Sequence, residues 1–102
     1  MDFKIIWTDS AIADLREIFL YISRDNPAAA EKVGQAILDH VKLLTSFPMI
    51  GPAYPRHSDS GRREIVCSNY RIFYKGSEKN KTVEILRFWH GARGEPPFPN
   101  LK

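Results

Sequence analysis

Cysteine is nearly absent from this sequence. Of its 102 residues only Cys67 carries a thiol, so no internal disulfide can staple the fold, and a reducing compartment, the cytoplasm, is expected. No apolar run approaches the ~20 residues of a membrane-spanning helix. Met1-Asp2-Phe3-Lys4 is followed by only three apolar residues, which is no signal-like start. No membrane association is expected. His40, His57, His90 and Cys67 fall in different elements without a short-spaced ligand pair, which argues against a metal site. Gly91-Ala92-Arg93-Gly94 lacks the pattern of a phosphate-binding loop. No cofactor is therefore expected. Cys67 has no evident base to activate it and reads as a small buried strand residue.

What is present suits one domain with a modest core: 43% hydrophobic and 26% charged residues. The net charge of +3 is unevenly spread. Residues 1–55 hold five Lys/Arg against seven Asp/Glu, and residues 56–93 hold nine against four. The basic charge sits in the second half, where an anionic partner or a mixed solvated surface are both compatible with it.

Phe3 to Trp7 reads as a short strand. Thr8 caps a helix with Asp9 in its first turn, and Ile12, Leu15, Ile18, Phe19 and Ile22 recur at helical spacing. Asn26-Pro27 supplies a second cap with proline at the first helical position. Ala30, Val33, Ile37, Val41 and Leu44 form that helix's apolar stripe. The short link predicts an antiparallel hairpin. Residues 48–61 are a Pro/Gly/Ser loop, and three strands follow at about 62–67, 70–76 and 82–90, with a tight turn at Ser68-Asn69. The expected fold is α+β, ordered β-α-α-β-β-β, with the hairpin on one face of a small, mostly antiparallel sheet. It forms one domain over 1–94 with a proline-rich C-terminal tail at 95–102.

The last strand does not alternate cleanly. Val83, Ile85 and Trp89 share one parity, and Leu86, Phe88 and His90 the other. Two helices cover one face only, so a second apolar face rimmed by Arg71 and His90 is predicted. Either a partner occupies it or the 48–61 loop and the tail fold over it. Arg87 is expected to lie on an aromatic ring and to pair with Glu84. His40 is expected to be exposed on its helix. Trp7 and Trp89 read as packing or partner contacts.

The motifs Trp7-Thr8-x-x-Ala11, Asp14-Leu15-x-x-Ile18-x-x-Tyr21-Ile22, Asn26-Pro27-x-Ala29-Ala30, Pro48-x-x-Gly51, Tyr70-Arg71-Ile72-x-Tyr74 and Val83-Glu84-Ile85-Leu86-Arg87-x-x-His90-Gly91-x-Arg93 together resemble the RelE/ParE superfamily of type II toxin–antitoxin toxins. The likeness is closer to its ParE-like, plasmid-stabilisation branch. The resemblance implies a small cytoplasmic toxin, wrapped and silenced by a co-encoded antitoxin through which alone it meets operator DNA. ParE-like members inhibit DNA gyrase; RelE-like members cut mRNA in the ribosome. The target- or partner-binding candidates are Arg71 and Arg93, as the resemblance implies, with Phe73, Phe88, Trp89 and His90 from the apolar faces of the strands. A nuclease would use Arg62, Arg71, His90 and Arg93. Glu64 stands where a nuclease would carry a cation, and after Arg93 the aromatic is Phe98, which cannot transfer a proton. Gyrase inhibition is therefore the favoured reading, with mRNA cleavage, or a degenerate toxin that only binds antitoxin, as alternatives.

Overall fold

The computed structural model describes residues 2–52 and 61–91. The chain starts with β1 (Lys4–Trp7), turns into α1 (Asp9–Ser23) and α2 (Pro27–Leu43), then runs through β2 (Arg62–Cys67), β3 (Tyr70–Ser77) and β4 (Thr82–His90). Each helix begins where its cap dictates. Thr8 Oγ1 accepts from the Ala11 N–H at 3.2 Å and donates to the Ile85 carbonyl at 2.7 Å, so one hydroxyl both starts α1 and fastens it to β4. Asn26 Oδ1 accepts from the Ala29 N–H at 3.1 Å, and Pro27 opens α2.

The sheet order is β1-β4-β3-β2, with β1 parallel to β4 and the other pairs antiparallel. This is the α+β fold expected from the sequence. Ser68, at φ 57°, turns the β2–β3 hairpin in the left-handed region.

The core lies between hairpin and sheet. Ala11 of α1 and Ala30, Ile37, Val41 and Leu44 of the α2 stripe are buried. Ala11, Ile37, Val41 and Leu44 oppose the sheet's Ile72, Tyr74, Val83, Ile85 and Phe88. The α1 stripe differs from the sequence reading. Ala11, Leu15 and Ile18 face the core, whereas Ile12 and Phe19 remain 44% and 42% exposed. Positions 12 and 19 belong to a neighbouring helical row, rotated toward α2 instead of the sheet.

A β-bulge explains the irregular last strand. Phe73 pairs with Arg87 but Tyr74 pairs with Ile85, so Leu86 is the extra residue. Core-facing positions therefore pass from Val83 and Ile85 to Phe88, and the parity flips within one strand. The far face carries Arg71, Phe73 and Trp89. The second apolar face is thus smaller than the sequence suggested, because Phe88 belongs to the main core, its ring centroid 5.9 Å from that of Trp7.

Burial sets a pH limit on this core. It raises the Cys67 thiol above its ordinary 9.0, with Asp39 adding to the effect. It raises Tyr70 above its ordinary 10.0, with Tyr21 contributing. Burial also raises Tyr74, against the opposing hydrogen bond from Gly51 and the charge of Arg63. In each case the folded chain holds its proton more tightly than the unfolded chain. Their stabilisation is fully present below the unfolded values and is lost as pH rises through the folded ones. Thermal melts are expected to show a steady Tm up to about pH 9 and a decline above it. Cys67→Ala should abolish the part of the decline that begins near pH 9 and leave the tyrosine part. A Tm that rises between pH 9 and 11 would contradict the assignment.

Candidate functional site

The strand register sorts the chemistry-bearing residues onto two faces. Away from the helices, β2 contributes Arg62, Glu64 and Val66, β3 contributes Arg71, Phe73 and Lys75, and β4 contributes Glu84 and Trp89. Phe73 and Trp89 are buried there with Leu86 against them. Neither ring is the exposed apolar surface that the sequence predicted. Arg71 lies over the Phe73 ring at 4.8 Å and Arg87 over the Trp89 ring at 5.1 Å, so the two guanidiniums roof the aromatics.

Both arginines are held by carboxylates. Arg71 Nε donates to Glu64 Oε2 at 2.8 Å and its Nη2 to Oε1 at 3.0 Å. This fork raises the arginine's pKa further, chiefly through the hydrogen bond to Glu64. Arg87 Nε donates to Asp14 Oδ2 at 2.6 Å and its Nη2 to Oδ1 at 2.9 Å. Its pKa is likewise raised, first by the hydrogen bond to Asp14. The sequence reading paired Arg87 with Glu84. Glu84 is exposed and lies opposite Lys75 and Ile6, whereas Asp14 reaches the strand from α1.

Asp14 has a second task. β1 stops pairing at Trp7 opposite Ile85, so among the described residues no strand pairs with the edge of β4 beyond it. Asp14 Oδ2 accepts the Phe88 N–H at 3.1 Å and finishes that edge in place of a strand. A helix residue acting at a strand edge 74 positions away leaves no local sequence signal.

His90 stands on the other side of the sheet from Arg71. It meets Tyr70 edge-on with ring centroids 5.3 Å apart. Both border a recess of about 350 Å³ under α1, where Glu17 and Tyr21 also lie. Arg62 pairs with Lys75, four residues along β3 from Arg71, roughly 13 Å on a strand. The proposed nuclease set Arg62, Arg71 and His90 is thus not gathered at one point, and Arg93 lies outside the described residues, as does His57. His40 is half-buried, with Nδ1 2.8 Å from the Ala36 carbonyl oxygen. Among the described residues no trio of His, Cys, Asp or Glu is placed to hold a metal ion, and no helix is long and apolar enough to cross a membrane.

A larger concavity lies elsewhere. A groove of about 1010 Å³ runs between α1 and α2. Its apolar lining includes Ile12, Phe19 and Leu38, each more than 40% exposed. Arg16, Glu31 and Lys32 stand beside them. Sequence reasoning missed this groove because it placed Ile12 and Phe19 in one apolar helical row with Leu15 and Ile18 without saying which neighbour each faces. Their seven-residue spacing, offset by one from Ala11 and Ile18, was the available signal.

The same architecture recurs in solved toxin–antitoxin assemblies. A chain of the RelBE2 toxin–antitoxin complex of Mycobacterium tuberculosis superposes with a TM-score of 0.69, covering 88% of this chain and 99% of that one; at 22% identity this is a likeness of fold. A chain of the chromosomal ParDE system of Pseudomonas aeruginosa gives 0.70 at 26% identity, covering 86% and 95%. A relative named "Putative toxin Y4kP", from Sinorhizobium fredii, is 36% identical over 95 residues, covering 91% of this chain and 93% of its own. The class is therefore that of toxins of type II toxin–antitoxin systems. Residues 5–94 match the family described as ParE toxin of type II toxin-antitoxin system, parDE, and the chain belongs to that family.

Proposed function

We propose that this chain inhibits DNA gyrase in the cytoplasm and is silenced by a co-encoded antitoxin that seats an amphipathic helix in the α1–α2 groove. Operator DNA is reached only through the antitoxin. The observation that carries the antitoxin part is the groove itself: half-exposed Ile12, Phe19 and Leu38 facing one another between two helices. A third helix is the natural filler of such a trough, since side-chain ridges of one helix fit the grooves between others.

Gyrase is favoured over mRNA as target by the state of the strand cations. The Glu64 fork engages two of the Arg71 N–H donors and offsets its charge, so a phosphodiester at Arg71 would compete with a carboxylate already in place. His90, the one imidazole of the set, faces the opposite side of the sheet. General acid–base catalysis needs its groups within hydrogen-bond reach of one substrate.

Purified toxin is expected to block gyrase supercoiling at stoichiometric amounts while ribosome-bound message stays intact. Message cut at ribosomes with gyrase untouched would refute the target. Leu38→Glu puts a charge into the groove at a half-exposed position. It should leave the toxin's melt within a few degrees of wild type and weaken antitoxin binding by at least about thirtyfold. Unaltered neutralisation of this variant would remove the groove from the reading.

A further inference from the structure

Gly34 sits in the middle of α2, between Pro27 and Leu43, and lines the groove. Glycine in a helix interior is destabilising relative to alanine, since its backbone loses the most freedom on folding. A glycine there usually answers a crowding need of the chain itself. Gly51 does so in this protein, where an added Cβ would come within 2.4 Å of backbone. Gly34 does not: a Cβ placed on it would meet nothing within 4 Å. Among the described residues, then, no crowding in the free chain accounts for this instability.

We infer, resting on the antitoxin reading above, that Gly34 marks the line of closest approach of the bound antitoxin helix and is a specificity-determining position of this toxin. Ala30, Gly34 and Leu38 succeed one another at four-residue spacing along α2, one ridge of the helix surface. Ala30 is buried, Gly34 leaves the centre of the ridge without a side chain, and Leu38 rises at its end. Across the trough stand Ile12 and Phe19 of α1. A helix laid here reaches the α2 backbone at Gly34 and meets apolar side chains at either hand. The flanks fix its composition. Arg16 and Lys32 outnumber Glu31 at the rim, so the occupant carries an apolar stripe bordered by acidic residues. Toxins with a larger side chain at this position would exclude that helix by shape.

The test uses effects of opposite sign. The wild-type chain is co-purified with the protein encoded beside it, and Gly34→Ala and Gly34→Leu are compared with it. Alone, each variant is expected to melt higher than wild type, by about 4 °C for alanine, because each is a better helix former with room for its side chain. In the complex, each is expected to bind the antitoxin more weakly, about tenfold for alanine and more for leucine. Leu38→Glu serves as the control that weakens binding without raising the melt. A higher melt with unchanged affinity would overturn the role of Gly34 while leaving the antitoxin reading intact. A lower melt of both variants would show that the chain needs this glycine for its own fold and would overturn it too. Failure of wild-type toxin to bind its neighbour's product would fell the antitoxin reading and this inference with it.

Discussion

Asp14→Ala is expected to lower the unfolding free energy by roughly 3 kcal/mol, and the melting temperature by about 15 °C in a domain of this size. The carboxylate accepts from Arg87 at 2.6 and 2.9 Å and from the Phe88 N–H at 3.1 Å. Both side chains of the ion pair are largely out of solvent, at 13% and 15% exposure. Removing the anion takes the forked acceptor from a guanidinium lying on the Trp89 ring and deprives a strand-edge N–H of its acceptor. An unmatched buried charge costs more than the intact pair contributes. The consequence extends beyond stability, since the pair ties α1 to β4 and so helps to set the position of the α1 wall of the groove. Asp14→Asn keeps one acceptor and should fall between alanine and wild type. Urea unfolding of Asp14→Ala, Arg87→Ala and the double variant would give a coupling of about 1–3 kcal/mol. A coupling near zero would mean the pair is ornamental.

Gly51→Ala is expected to be at least as damaging, by about 3–4 kcal/mol. A Cβ there would lie 2.4 Å from the Glu64 carbonyl oxygen, 2.9 Å from Ile65 Cγ2 and 2.9 Å from Tyr74 Oη. The first of these is backbone within β2 and cannot swing aside, so the 48–52 segment must lift. Overpacking of this kind costs about 1–3 kcal/mol. Lifting also breaks the Gly51 N–H bond to the Tyr74 hydroxyl at 2.9 Å and the Arg63 bond to the Gly51 carbonyl at 2.7 Å. Each is worth about 1 kcal/mol. Tyr74→Phe added to Gly51→Ala removes one obstacle and leaves the backbone collision. The double variant should therefore recover little. Full recovery in urea unfolding would place the clash at the hydroxyl instead of the strand.

Much of the site chemistry escaped the sequence for one physical reason: the contacts that decide it join distant positions. Arg87 was expected to lie on an aromatic ring, and it does; Arg71, expected at a contact surface, also lies on one. Their partners were harder to read. Glu64 meets Arg71 only because β2 and β3 pair one diagonal apart, and Asp14 meets Arg87 across 73 positions. Phe73, Phe88 and Trp89 were expected at an exposed face. The single extra residue at Leu86 redistributes them, and a bulge has no reliable signature in an apolar strand. The groove stayed hidden because an apolar residue at helical spacing does not announce which neighbour it faces.

Local chemistry was enough to determine the elements themselves. Thr8 and Asn26-Pro27 start the helices, and Ser68-Asn69 turns one hairpin. The apolar periods then leave few ways to stack two helices on four strands, because capping, turn formation and amphipathic spacing act over a handful of neighbouring residues. Packing alone decided which face each side chain occupies. It forked Arg71 to Glu64, sent His90 to the helix side of the sheet, away from Arg71, and left Ile12, Phe19 and Leu38 facing across an open trough beside a glycine with empty space above it. Those outcomes depend on strand register and helix rotation, which are settled only when the whole core closes.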